Sequence, residues 1–218
     1  MKLKKIASLA LAGIMAVSML AGCKDGSSSS EPTQPENPVT SNAVTYANDA
    51  LTGAQKELFS FGTNEELDVA LKAVATDSTA FTSNMIANAY NKKVTWTSDA
   101  DESTLTGKLE GKFSGQRVEV GDFYAVPADK ESQKAIYLYT MSGSLDEKAA
   151  VTAVVKAIAG HMNRTTYPAS IPVSGPTKYD CTYSANISSV KVAAPDNANN
   201  TAWVIGVVIT QTVAESVA

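Results

Sequence analysis

The segment Trp203-Val204-Ile205-Gly206-Val207-Val208-Ile209 has no polar face. Successive side chains of a strand point to opposite sides of its sheet, so a strand that is apolar at every position must be covered on both. This segment is therefore predicted to run through the middle of a sheet. It follows a second long β-rich stretch, about Lys178 to Ala194, in which Tyr179, Cys181, Tyr183, Ala185 and Ile187 share one face and Asp180, Thr182, Ser184 and Asn186 the other. The two strands, the later one spanning about Thr201 to Val213, are expected to form a hairpin across the loop Pro195 to Asn200. Upstream, Pro168, Pro172 and Pro176 mark an irregular crossing segment over 166–177.

Before that crossing, Leu145, Val151, Val154, Val155, Ile158 and Met162 recur at helical spacing. The order Ser144-Leu145-Asp146-Glu147 predicts a capping box at the start of this helix, and Gly160 a stop. Ala135 to Met141 is rich in β-formers and reads as a strand. In 105–113, Leu105, Gly107, Leu109, Gly111 and Phe113 alternate with polar residues, which predicts a half-buried strand turning at Ser114-Gly115-Gln116 into another over 117–126. Gly107 and Gly111 would then leave room on its inner face.

Nearer the N-terminus, Val44, Ala47, Leu51, Ala54 and Leu58 predict one helix over 42–59, ended by Gly62. A capping box Thr63-Asn64-Glu65-Glu66 opens a second helix, and Phe81, Met85 and Ala89 place a third over 79–90. The expected class is α+β: N-terminal helices packed on a mostly antiparallel sheet, with one helix inserted before a C-terminal β-hairpin.

The first 40 residues read differently. Lys2, Lys4 and Lys5 precede an apolar run, Ile6 to Leu20, that is short for a membrane span and is followed by Leu20-Ala21-Gly22-Cys23. Leu-Ala-Gly-Cys resembles the lipobox of bacterial lipoproteins. That resemblance covers about the first 23 residues. It implies cleavage after residue 22 and lipid attachment to the Cys23 thiol, leaving the protein on the extracytoplasmic side of a cell membrane. Residues 23–40 hold four consecutive serines and Pro32, Pro35 and Pro38, with no aromatic residue, which predicts a disordered tether. The expected organisation is a signal peptide over 1–22, a tether over 23–40 and a globular domain over 41–218.

Four of the 18 basic and three of the 22 acidic side chains precede residue 41, so the domain carries a formal charge of −5. Its lysines are scattered, with Lys92-Lys93 the only adjacent pair. A phosphate-binding face needs clustered cations, so nucleic acid is not an expected partner. With Cys23 given to the anchor, Cys181 has no intramolecular partner, and the fold has to stand on its core.

Few residues suggest chemistry. Cys181 with His161, the only histidine, has the composition of a thiolate–imidazole pair, but Cys181 shares the apolar strand face and His161 follows a helix stop. Asp99, Asp101 and Glu102 form an acidic loop compatible with calcium but lacking the glycine and distant glutamate of an EF-hand. Tyr137 and Tyr139 point to the same side of one strand, an arrangement suited to core packing or to an aromatic platform for a glycan or peptide. Ser188-Ser189-Val190-Lys191 matches a serine acyl-enzyme motif but falls in a strand rather than at a helix start. No phosphate loop or dinucleotide fingerprint occurs, a single histidine excludes a multi-histidine metal centre, and no cofactor is expected. These features favour a non-enzymatic binding or interaction module whose ligand is a protein, glycan or peptide. The alternative is an extracytoplasmic hydrolase using Asp99, Asp101 and Glu102, or Cys181 with His161.

Overall fold

The computed structural model describes residues 41–90, 92–94, 104–118, 123–173 and 175–217. In chain order these form α1 (Ala43–Ala50), α2 (Gly53–Lys56), β1 (Phe61–Gly62), α3 (Glu65–Ala75), α4 (Ser83–Ala87), β2 (Lys92–Val94) and α5 (Leu105–Glu110). There follow β3 (Gln116–Arg117), β4 (Ser132–Ser142), α6 (Glu147–Ala159), β5 (Ser170–Pro172), β6 (Thr177–Ala194) and β7 (Asn197–Val217). The class is α+β.

The sheet is ordered β1-β6-β7-β4-β2, with β3 on β4 and β5 on β6. The apolar run of β7 lies at its centre, antiparallel to both long neighbours, with Ile205 opposite Tyr139 on β4 and Ser189 on β6. Each outer edge is filled by two short strands. β1 runs parallel to β6 and β5 antiparallel to it, while β3 runs parallel to β4 and β2 antiparallel. Short pieces of this kind leave no long row of open amides to template another chain.

Both faces are covered. On one, Ile205, Val207 and Ile209 of β7 join Tyr137 and Tyr139 of β4 under α1 and α6, which contribute Ala43, Ala47, Val151, Val154, Val155 and Ile158. On the other, Val204 and Val208 join Ile136 and Leu138 under α3, α4 and α5, through Leu67, Leu71, Val74, Ile86, Leu105 and Leu109. Burying a leucine of this kind contributes about 2 kcal/mol. Gly206 is the point of closest approach. A Cβ there would stand 3.0 Å from Leu67 Cδ1 and 3.1 Å from Leu71 Cδ1, so the missing side chain lets α3 settle on the central strand.

Several sequence expectations are corrected. Residues 105–113 form a helix and turn, not a strand: α5 starts at Thr104, whose hydroxyl accepts from Gly107 N at 3.0 Å. Reading Gly107 and Gly111 as apolar created the two-residue period, whereas Leu105, Leu109 and Phe113 are also spaced by four, a helical interval. With no strand before it, Ser114-Gly115-Gln116 makes no hairpin; β3 instead pairs with β4 in parallel. Of the strand expected over 117–126, Arg117 ends β3, the described residues 118 and 123–126 are not strand, and 119–122 lie outside the described residues.

The helix expected over 42–59 is two helices. Leu51 is extended, and a capping box joining Thr52 and Gln55 opens α2. The caps of α3 and α6 also sit later than expected. Asn64 Oδ1 accepts from Leu67 N at 3.0 Å, and Asp146 Oδ1 from Ala149 N at 2.7 Å. The third helix is shorter than 79–90, since Thr82 caps it and Asn88 ends it. The final hairpin is tighter than expected: only Pro195 and Asp196 form the turn, and Ala194 faces Asn197.

Candidate functional site

The N-terminus of α3 carries Glu65, Glu66 and Asp68, and carboxylates there complement the partial positive charge of the helix start. Its buried stripe, Leu67, Ala70, Leu71, Val74 and Ala75, faces the sheet and turns Val69 and Ala73 outward. Lys112, in the turn after α5, approaches the same side. The result is an open, shallow groove of about 460 Å³ lined by Glu65, Glu66, Val69, Ala70, Ala73 and Lys112. Val69 on its floor is 65% exposed. An apolar floor between an acidic pair and a cation suits an apolar side chain carried next to a basic one. It offers no nucleophile.

Cys23 lies outside the described residues, and so do Asp99, Asp101 and Glu102. Among the described residues no three metal-binding side chains gather together, and no helix is long and apolar enough to cross a membrane.

Cys181 and His161 are both described, and no hydrogen bond joins them. His161 is exposed beyond the end of α6, its backbone amide donating to Ile158 O at 2.9 Å. Cys181 lies on the α1/α6 side of β6, as its phase predicts, but it is half-buried rather than fully in the core. Its Sγ contacts Tyr179 O at 3.6 Å, and burial pushes the thiol pKa up. A raised pKa opposes thiolate nucleophilicity. Tyr137 and Tyr139 are buried and stacked with ring centroids 6.3 Å apart, so they form no exposed platform. Burial pushes the Tyr139 hydroxyl up to about 12.

Two polar constellations escape a reading of the sequence. The first is a ladder of glutamines set by strand register, in which Gln116 pairs with Gln133, Gln133 with Gln211, and Gln211 with Tyr183. Gln116 Nε2 donates to Gln133 Oε1 at 3.1 Å, and Gln133 Nε2 to Gln211 Oε1 at 2.7 Å. Gln211 Nε2 donates to Tyr183 Oη at 2.8 Å, and the Tyr183 hydroxyl to Pro168 O at 2.9 Å. The same amides reach the 123–128 segment: Gln211 donates to Phe123 O, Gln133 donates to Ala125 O, and Gln116 accepts from Ala128 N. A buried network satisfied in this way fixes one arrangement of a loop.

The second constellation stands where the domain begins. Ser41 Oγ and Ser189 Oγ both donate to Glu147 Oε1, at 2.8 and 2.7 Å, and lie 3.0 Å from each other. The glutamate expected to cap its own helix thus clasps the start of the domain to β6. Ser189 belongs to the Ser-x-x-Lys match, and it sits in a strand, as expected, with this structural task.

Comparison with family models, curated proteins and solved structures gives no match to this chain.

Proposed function

We propose that this chain is a lipid-anchored protein of the bacterial cell envelope whose domain binds a partner at the extracytoplasmic surface without catalysing a reaction. The observation that carries this reading is Leu20-Ala21-Gly22-Cys23 closing a basic-then-apolar segment and opening a serine- and proline-rich stretch. The groove on α3 supports the second half, because it offers apolar and charged contacts and no activated nucleophile. Its chemistry favours a protein or peptide partner over a glycan.

Two variants test the reading in a bacterial host fed labelled palmitate. Wild type is expected to take up label and to sediment with membranes. Cys23→Ser is expected to lose the label and to partition into the soluble or unprocessed pool with its fold unchanged. Membrane retention of Cys23→Ser through residues 41–218 would overturn the anchor. Turnover of ester, peptide or glycosidic substrates by the purified protein, lost on changing one internal residue, would overturn the non-enzymatic reading.

A further inference from the structure

Glu110, the last residue of α5, is 0% exposed, and neither of its carboxylate oxygens has a hydrogen-bond partner. Among the described residues, the cation within ion-pair distance of it is Arg117 of β3, with Nη1 3.8 Å from Glu110 Oε2. Arg117 is only partly committed elsewhere: its Nη2 donates to Phe113 O at 3.0 Å, its Nε is buried without a hydrogen-bond partner, and its side chain is one-third exposed. The remaining charges on the surrounding elements are otherwise engaged or exposed. Lys108 of α5 pairs with Asp77 at 2.6 Å, and Lys134 of β4 donates to Ser114 O at 3.1 Å. Glu65, Glu66, Asp68 and Lys72 of α3, and Lys112 after α5, are exposed. Among the described residues, Arg117 alone offsets the charge of Glu110.

A carboxylate without donors in an apolar setting disfavours its charged form, and one partly solvated guanidinium at 3.8 Å offsets this only in part. The segment that would respond is small. α5 and the turn after it hold the sheet through Leu105, Leu109 and Phe113, and β3 adds a two-residue pairing with β4.

We propose that residues 104–118 form a flap gated by the ionisation of Glu110, closed while its carboxyl is protonated and loosened when it becomes charged. Opening releases Leu105, Leu109 and Phe113 from α3 and Ile136, uncovering apolar surface beside the α3 groove. The energetic direction is consistent with this, since burial raises the Glu110 pKa from 4.5 to about 7. Linkage gives the sign. The closed flap binds more protons than the open one between those values, so closure is strongest below 4.5 and weakens as pH rises to about 7.

Hydrogen exchange of the full chain between pH 5.5 and 8, expressed as protection relative to intrinsic exchange, tests the proposal. The opening constant of 104–118 is expected to rise about 25-fold over this range, with protection in β6 and β7 unchanged. Glu110→Gln, which cannot ionise, should flatten the dependence in that segment. Arg117→Gln removes the offsetting cation and raises the closed-state pKa further, so the rise should keep its onset but continue to higher pH and reach a larger total; this decides the matter even if Glu110→Gln fails to fold. The proposal fails if wild-type 104–118 shows no such rise, if all segments lose protection equally, if folded Glu110→Gln keeps the wild-type slope, or if Arg117→Gln leaves the upper end of the rise where it was.

Discussion

Gln211 is fully buried in the central strand, and replacing it with leucine probes the glutamine ladder directly. Leucine nearly conserves volume and removes three hydrogen bonds: from Gln133 Nε2 at 2.7 Å, to Phe123 O at 2.7 Å and to Tyr183 Oη at 2.8 Å. Two of the three partners keep another contact. Gln133 Nε2 still donates to Ala125 O, and Tyr183 still donates to Pro168 O. Phe123 O and the second Gln133 N–H lose their partner. Two stranded buried groups cost about 2 kcal/mol each, so Gln211→Leu should destabilise the protein by about 4 kcal/mol. Gln133→Leu strands Ala125 O, Gln211 Oε1 and the Gln116 amide, a comparable loss.

A double-mutant cycle isolates the ladder from either position alone. The Gln133–Gln211 bond is lost only once in the double variant, and neither glutamine leaves the other stranded, so two fewer groups are orphaned and the double should cost about 4 kcal/mol less than the sum of the singles. Urea unfolding is the assay. At a slope of about 2 kcal/mol/M, the single variant should lower the midpoint by about 2 M without changing the slope. Hydrogen exchange should accelerate in 123–128, which the ladder pins, before it does so in α3. A Gln211→Leu cost below about 1 kcal/mol, or a coupling energy indistinguishable from zero, would refute the view that these amides hold the loop.

Other positions give simpler tests. A Cβ on Gly143 would fall on the Thr201 carbonyl, and Gly143 N already donates to that oxygen at 2.9 Å; Gly143→Ala should lower stability by about 3 kcal/mol, read from thermal unfolding. Gly206→Val, placing branched carbons against Leu67 and Leu71, should cost about as much, whereas an unchanged melting temperature would mean that α3 can shift freely on β7. Cys181 should react with maleimide more slowly than a free peptide thiol at neutral pH, because burial raises its pKa, and faster as pH climbs; its rate should not depend on His161. Glu147→Gln should keep one acceptor for Ser41 and Ser189 and so be milder than Glu147→Ala, which should expose the start of α1 to proteolysis.

The central strand and the sandwiching of the sheet were legible because a strand's side-chain period is two whatever lies beside it. Six apolar side chains on both faces of seven consecutive residues, 203–209, with no polar one among them, leave only one kind of place to put a strand. Residues 105–113 were illegible for the opposite reason. Glycine carries no side chain to declare a face, and counting it as apolar turned a helix with Leu105, Leu109 and Phe113 on one side into an apparent strand. The caps were misplaced by one or two residues because Thr63-Asn64 and Ser144-Leu145-Asp146 offer competing oxygens, and only the local backbone selects among them. The central rung of the glutamine ladder joins Gln133 to Gln211, 78 residues apart in sequence, and depends on register that no local pattern contains. Its members nevertheless left a trace: Gln133 is in phase with Ala135, Tyr137 and Tyr139, and Gln211 with Ile205, Val207 and Ile209. A polar residue in the apolar phase of a central strand has to find a partner across it, since an unpaired amide there would cost several kcal/mol. Once 105–110 is read as a helix, the same test singles out Glu110, which lies one turn beyond buried Thr106 and beside the Leu105–Leu109 stripe. The glutamines meet that demand with six hydrogen bonds and form a rigid brace, whereas among the described residues Glu110 has only a guanidinium at 3.8 Å, so the charge on this one carboxyl decides how firmly its segment is held.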